Sequence, residues 1–279
     1  MNHFKLLSNK IISLALAEDV GKKDLTGALI PKSLITHGIV VAQQSTVICG
    51  IKFVNKVFAK VDNNVKVHWL VKDGALVKKG AILCKIHGSA RSILKGERVA
   101  LNFLQTLSST ATLTKKYAAK LAGTNTKLLD TRKTLPGLRQ GQKYAVTCGG
   151  GKNHRLGLYD AVLIKENHIA SCGSITNAVR RVRRLYPKMS VEIEVRNLDE
   201  LREALATEAD IIMLDNFTMA NIRRAVKING GSKKLEVSGG VNLNNIRSLA
   251  KTGVDYISVG AITKTVIPIE LSLLLAPIV

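Results

Sequence analysis

Three things are scarce in this 279-residue chain: aromatic side chains, acidic side chains and paired cysteines. Aromatic residues make up only 4% of it, which leaves few platforms for stacking against unpaired bases. The 20 Asp and Glu stand against 42 Lys and Arg, a formal net charge of +22. Such an excess suits nucleic acid, an acidic membrane surface or phosphorylated small molecules, and charge alone does not choose among them. The basic residues are dispersed rather than gathered in one tail, which counts against nucleic acid. Cys49, Cys84, Cys148 and Cys172 form no C-x-x-C pair, so reduced thiols in a cytoplasmic protein are expected and a zinc site is not. No apolar run is long enough to span a bilayer; Val266 to Val279 is short and broken by Pro268, Glu270 and Pro277, and should be buried against another part of the fold. The run Ile11 to Ala17 after Lys5 and Lys10 imitates an export signal. Phe4, Leu7, Ile11, Leu14 and Ala15 nevertheless share one helical face, and an amphipathic helix is the expectation. No Ser/His/Asp or Cys/His nucleophilic set stands out.

What is present is a change of rhythm. The 46% apolar content is ample for a packed core. The segment Glu18 to Thr26 is polar and turn-rich, and its carboxylates suit capping better than metal binding. From Thr36 to His87 the pattern is mostly strands (Gly38 to Ala42, Val65 to Val71, Ile82 to Ile86) with one helical interruption at Phe53 to Val61, a small α+β unit. Gly96 to Gly123 reads as a long helix linking two domains. Thereafter short apolar strands alternate with helices. The strands are Leu128 to Asp130, Ala161 to Ile164, Val191 to Val195, Ile211 to Leu214, Leu235 to Val237 and Tyr256 to Val259. The helices are Ser174 to Tyr186, Asp199 to Thr207, Met219 to Ile228 and Asn244 to Lys251. Ser174 should cap the first of these, with Arg180, Arg181, Arg183 and Arg184 on a solvated face. Wholly apolar short strands imply a parallel sheet covered by helices, and polar residues directly after strand after strand favour a barrel with one functional face.

The stretch from Leu128 to Ile169 concentrates cations around the run Gly149-Gly150-Gly151 and reads as an anion trap. Arg132, Arg139 and Arg155 offer planar forks for carboxylates, whereas Lys133 and Lys165 are point charges suited to phosphate. His154 and His168 are candidate proton carriers or hydrogen-bond donors. Glu194 and Asp215 end consecutive strands, so their carboxylates should be neighbours, ionised, and suited to Mg²⁺, ribose hydroxyls or a developing positive charge. Ser238-Gly239-Gly240 and Val259-Gly260-Ala261 follow the last two strands, where barrels often bind phosphate through backbone N–H groups. Arg98, near a helix start, reads as a solvated arginine on these grounds.

The segments Asp130-Thr131-Arg132-Lys133-Thr134, Gly149-Gly150-Gly151-Lys152-Asn153-His154-Arg155, Leu163-Ile164-Lys165-Glu166-Asn167-His168, Val191-Glu192-Ile193-Glu194-Val195 and Met213-Leu214-Asp215-Asn216 closely resemble the quinolinate phosphoribosyltransferases, the carboxylating nicotinate-nucleotide pyrophosphorylases. The likeness covers nearly the whole chain. It implies an N-terminal α+β sandwich-like domain (1–109, joined by the C-terminal segment 268–279) and an open parallel α/β barrel (110–267). It also implies a homodimer or larger array, Mg²⁺, and the joining of quinolinate to phosphoribosyl pyrophosphate with loss of CO₂. By the same resemblance Arg132, His154, Arg155 and Lys165 hold the quinolinate carboxylates, and Arg98 completes that pocket from a neighbouring subunit. Lys133, Glu194 and Asp215 face the phosphoribosyl pyrophosphate and metal, with Thr131 beside them, and the two glycine loops hold the 5′-phosphate. Lys23, Thr106, Glu166 and Lys264-Thr265 depart from the usual pattern and leave loop shape and charge near the phosphate open. Two other readings remain: a paralogous phosphoribosyltransferase for another ring acid, and a nucleic-acid-binding protein.

Overall fold

The computed structural model describes the backbone of residues 2–276 and the side chains from Asn9 to Ala276. In chain order the elements are α1 (Asn2–Val20), β1 (Ile35–Ala42), β2 (Thr46–Val47), α2 (Ile51–Val61), β3 (Lys66–Trp69), β4 (Leu76–Val77), β5 (Ile82–Ser89), α3 (Ala90–Lys120), β6 (Lys127–Leu129), α4 (Arg139–Cys148), β7 (Val162–Ile164) and α5 (Glu166–Cys172). They continue with α6 (Ile175–Leu185), β8 (Val191–Val195), α7 (Leu198–Leu205), β9 (Ile211–Asp215), α8 (Met219–Asn229), β10 (Lys234–Ser238), α9 (Ile246–Ala250), β11 (Tyr256–Ser258), α10 (Ala261–Lys264) and β12 (Leu271–Leu275). The chain divides into two compact units: Met1–Lys115 with Thr134–Gly150 and Thr263–Val279, and Lys116–Lys133 with Gly151–Ile262. Among the described residues no helix is long and apolar enough to cross a membrane.

The first unit is built on an antiparallel sheet in the order β12-β1-β5-β3. Alternation along β1 and β5 turns Val40, Ala42, Leu83 and Ile86 inward, where Phe53, Val57 and Phe58 of α2 and Leu104 of α3 join them in one apolar cluster. The C-terminal run finds its cover as β12, whose Leu271 to Leu275 pair with Ala42 to Gly38; residues 277–279 lie outside the described ones. The face of α1 is the expected one in part: Ile11 and Ala15 pack against the core, but Ile12 is fully buried and Leu14 is 68% exposed, and the side chains of Phe4 and Leu7 lie outside the described residues. Asp24, a candidate carboxylate of the N-terminal turn, accepts from the Gly27 N–H at 2.8 Å, as a turn-forming residue does.

Sequence periodicity does not reveal α4, and its buried residues explain why. Gln142 and Lys143 are buried there beside Ala145 and Val146, which breaks the apolar pattern. The Gln142 amide repays this by donating to Thr263 O at 2.7 Å and Thr110 Oγ1 at 3.2 Å and accepting from the Leu135 N–H at 2.8 Å. The next residue after the helix, Gly149, packs so tightly on Ala111 and Thr114 that a Cβ would collide with both. Residues 134–150, read from sequence within the run 110–267, thus fall in the first unit and carry Arg139 and Lys143 with them. The supposed anion trap from 128 to 169 is not one structure.

The second unit is a six-stranded parallel sheet in the order β6-β11-β10-β9-β8-β7. From β7 to β11 each strand lies beside its neighbour in sequence, β6 closes on β11, and the order never reverses as it would at the switch point of a doubly wound sheet. Only β6 and β7 fail to pair, so the barrel is open; at that gap Lys152 bridges Leu129 on the free edge of β6. Ser174 does cap α6, accepting from the Asn177 N–H at 3.1 Å. Of the four arginines on that helix, Arg183 is not merely solvated: it donates to Met189 O, Glu208 O and Asp210 Oδ2 and ties the following loops together. The strands are also not wholly apolar. Glu192 on β8 and Glu236 on β10 are buried.

Candidate active site

The carboxyl ends of the barrel strands surround a cavity of about 470 Å³. Strand β6 delivers Thr131, Arg132 and Lys133, and the Thr131 hydroxyl accepts from the Lys133 N–H at 3.1 Å, folding the loop back on itself. Gly260 makes room for Lys133: a Cβ there would stand 3.1 Å from the lysine Cδ. Strand β7 delivers Lys165, whose Nζ lies 2.9 Å from Glu194 Oε2 on β8. Lys165 is half exposed while Glu194 is buried, so the cation still faces the cavity.

Asp215 ends β9 beside this pair. Its carboxyl is pushed above its ordinary value by burial first and by the Glu194 charge second, against the pull of Asn216, Lys165 and Lys133. Asn216 donates from Nδ2 to Asp215 Oδ2 at 2.8 Å and sits at φ 55°, rare for a residue with a side chain. Its backbone N–H reaches Ser238 O at 3.0 Å, tying β9 to the loop after β10. At Gly239, φ is 91° and a Cβ would strike the Asn216 side chain, so glycine is required on both counts. Ser238, Gly239 and Gly240 line the cavity.

The other proposed phosphate loop differs. Val259 is buried and spends its N–H on Leu129 O at 3.0 Å, in the sheet. It cannot also offer that N–H to a phosphate, which corrects the expectation for this residue. Gly260 packs on Lys133, and Ala261 opens α10.

Arg132 and Arg155 line the cavity together. Burial, then the neighbouring Arg132, pull the Arg155 guanidinium below its ordinary value, while Glu192 and Asp160 offset them. His154 lines the same cavity. Its backbone N–H and the Asn153 amide grip the buried Asp130 at 2.8 and 2.6 Å, which fixes the loop to the end of β6. Its ring turns to the barrel floor, with Nε2 2.8 Å from Glu192 Oε2 and 3.7 Å from Glu236 Oε2.

Of the sequence candidates, Thr131, Arg132, Lys133, His154, Arg155, Lys165, Glu194, Asp215 and Ser238 to Gly240 come together. Arg98 and Arg139 belong to the first unit, on α3 and α4. His168 is no free proton carrier: its Nδ1 accepts from the Lys165 N–H at 2.9 Å and caps α5. Sequence reasoning gave no role to Asn216, Glu192 or Glu236, although the first two lie in the motifs of the resemblance. The period of two along a strand would have found the glutamates, since Glu192 shares a face with Glu194, and Glu236 with Ser238.

The sequence pattern of the quinolinate phosphoribosyl transferase C-terminal domain matches residues 110–274, and that of the N-terminal domain matches residues 24–108. The chain belongs to the quinolinate phosphoribosyl transferase family. It is 40% identical over 274 residues to a probable nicotinate-nucleotide pyrophosphorylase (carboxylating) of Bacillus subtilis, covering 98% of this chain and 94% of that one. It is 41% identical to the corresponding protein of Mycobacterium leprae, over 94% of this chain and 95% of that one. Among solved structures, the nicotinate-nucleotide pyrophosphorylase of Francisella tularensis superposes with a TM-score of 0.94 at 47% identity, covering 97% and 96% of the two chains. The α/β architecture expected of the family, a small sheet domain and an open parallel barrel, is the one present here.

Proposed function

We propose that this chain transfers the phosphoribosyl group of phosphoribosyl pyrophosphate to quinolinate and decarboxylates the product, giving nicotinate mononucleotide, pyrophosphate and CO₂, a step in making NAD. The observation that carries this reading is the lining of one cavity by the cations Arg132, Arg155 and Lys165, the carboxylates Glu194 and Asp215, and the Gly239 turn, with Lys165 joining the two sets through its 2.9 Å bond to Glu194. The cationic part of the wall suits a ring dicarboxylate, the turn a phosphate, and the carboxylates a ribose that becomes cationic.

Attack of the pyridine nitrogen on the anomeric carbon expels pyrophosphate through an oxocarbenium-like transition state. Glu194 and Asp215 offset the positive ribose, and Lys133 stabilises the departing charge. When CO₂ then departs, the electron pair of the broken bond stays on the adjacent ring carbon, where the positive charge of the quaternised nitrogen stabilises it, and that carbon takes a proton from water. The arginines contribute chiefly by holding the ring in line. A divalent cation fits this donor set, because the Glu194 charge raises the cost of ionising Asp215 and a cation would relieve it. Mg²⁺ held by these two carboxylates, directly or through water, would neutralise the leaving pyrophosphate. The four cysteines are free thiols, in keeping with a reducing compartment such as the cytoplasm.

The reading extends to a homodimer in which Arg98 serves the site of the neighbouring subunit. The deciding experiment is incubation of the protein with quinolinate, phosphoribosyl pyrophosphate and Mg²⁺. Nicotinate mononucleotide and CO₂ should appear in equal amounts; turnover of nicotinate instead would transfer the chain to another ring acid. For the shared site, mixing inactive Arg98→Ala and Lys133→Ala proteins should restore part of the activity, and heterodimers without recovery would refute the sharing.

A further inference from the structure

Beneath the cavity the barrel holds a group that the proposed chemistry does not use. Glu192 and Glu236 come inward from β8 and β10, and Glu236 is 0% exposed. Both Glu236 oxygens and Glu192 Oε1 are shut off from water without a well-aligned hydrogen bond from the protein. His154 Nε2 lies 2.8 Å from Glu192 Oε2 and 3.7 Å from Glu236 Oε2. Two buried carboxyls around one imidazole are costly, so the arrangement calls for a role.

The other ring nitrogen decides what that role can be. His154 Nδ1 accepts the Arg155 backbone N–H at 2.7 Å, so Nδ1 carries a lone pair and the ring proton must sit on Nε2, the atom facing Glu192. The three side chains bring one ligand atom each within 4.8 Å of one another, a spacing that a metal ion could span. A protonated Nε2 cannot ligate a metal, however, and this argues for a polar lock rather than a metal centre.

We propose that Glu192 and Glu236 are positioning residues that hold His154 as its Nε2–H tautomer and, through the Nδ1 bond to the Arg155 backbone, hold Arg155 in the carboxylate-binding wall. The inference rests on the functional reading above for the identity of the ligand. Glu192 attracts the ring from below, the Asp130 carboxylate grips the His154 backbone from the side, and the ring in turn fixes the next peptide. Glu192 also lends Arg155 a counter-charge against burial and Arg132. Burial and the nearby Glu192 push the Glu236 carboxyl well above its ordinary value. As a neutral acid it could donate to Glu192 and leave the wall its cationic surplus.

The test combines quinolinate binding by calorimetry, without phosphoribosyl pyrophosphate, and ¹⁵N spectra of the His154 ring in the full-length protein. Wild type should show a single Nε2–H tautomer. Glu192→Ala should weaken quinolinate binding more than tenfold, raise KM more than it lowers kcat, and broaden or shift the His154 ring signals. Glu192→Gln keeps an acceptor oxygen and should recover most of the lost affinity and the Nε2–H tautomer. Glu192→Met, of similar bulk but without that acceptor, should not, whereas a purely space-filling role would require that it did. Should Glu192→Ala fail to fold, the wild-type tautomer and the Glu192→Gln spectrum still decide. A proton on Nδ1, affinity unchanged in folded Glu192→Ala, or stoichiometric Mn²⁺ or Zn²⁺ bound in wild type and lost in Glu236→Gln would each overturn the proposal. Failure of wild type to bind quinolinate would instead refute the functional reading, while the tautomer measurement would still judge the lock.

Discussion

The barrel contains two pairs of carboxylates on nearly the same strands, and they have opposite surroundings. The mouth pair, Glu194 and Asp215, lies in a cavity among Lys133 and Lys165, with Glu194 2.9 Å from the Lys165 ammonium. The floor pair, Glu192 and Glu236, is buried around one imidazole. Glu192 and Glu194 are only two residues apart on β8 and face the same way. Depth alone separates their tasks. At the mouth, burial and Glu194 raise Asp215, but Lys165 and Lys133 pull it back and the pair lines the cavity, so these carboxylates can answer charge on a ligand. At the floor, burial and the Glu192 charge push Glu236 above its ordinary value, and neither carboxyl lines the cavity, so the pair can shape the wall but does not meet a substrate.

The largest effect should come from cutting the residue on which the two levels converge. Arg155→Ala removes the fork that lines the cavity and is steadied from beneath, and should weaken quinolinate binding by about 2 to 5 kcal/mol, the usual cost of truncating one partner of a buried charge pair. Calorimetric affinity in the variant measures this. A loss below tenfold would mean that the wall at Arg155 does not grip carboxylate, and the mouth would lose its distinction from the floor.

The mouth was more legible in the sequence than the floor for a physical reason. Residues such as Arg132, Lys165 and Asp215 follow an apolar strand directly, so their polarity marks a strand end. Glu192 and Glu236 interrupt strands in mid-run, where neighbours such as Val191 and Ile193 disguise them as part of an apolar stretch. The fold class was readable because each βα unit carries its own period. Helix α4 was not, because its buried face includes Gln142 and Lys143 and its stability rests on side-chain bonds to residues distant in sequence. Val259 was misassigned on the same principle in reverse: a residue beside a glycine resembles a loop, but its N–H is still committed to the sheet.

A smaller effect should separate the pairs by pH. The groups facing Glu236 are Glu192 from β8, His154 from the loop before β7, Asp130 after β6 and Ser258 on β11. Its carboxyl is raised by burial first and Glu192 second, so the folded protein keeps a proton that the unfolded chain has released above the ordinary value of 4.5. Unfolding therefore releases that proton, and stability falls as pH rises from 4.5 through the raised value. Glu236→Gln, which cannot ionise, should flatten the decline in Tm with pH and gain most at the alkaline end. Parallel curves for variant and wild type would show that the floor is no more costly to ionise than the surface.

The smallest expected effect lies outside the barrel and provides the control for both levels. Ser174 accepts from the Asn177 N–H at 3.1 Å and so satisfies one of the open donors at the start of α6. Ser174→Ala should cost about 1 kcal/mol of stability by loss of the cap. For a unit of this size that is a fall in Tm of roughly 2 to 4 °C. Because the hydroxyl touches neither carboxylate pair, KM for quinolinate should stay at the wild-type value. A rise in KM equal to that of the floor variants would mean that general loosening of the barrel, rather than the lock on His154, governs the wall, and the contrast between mouth and floor would collapse.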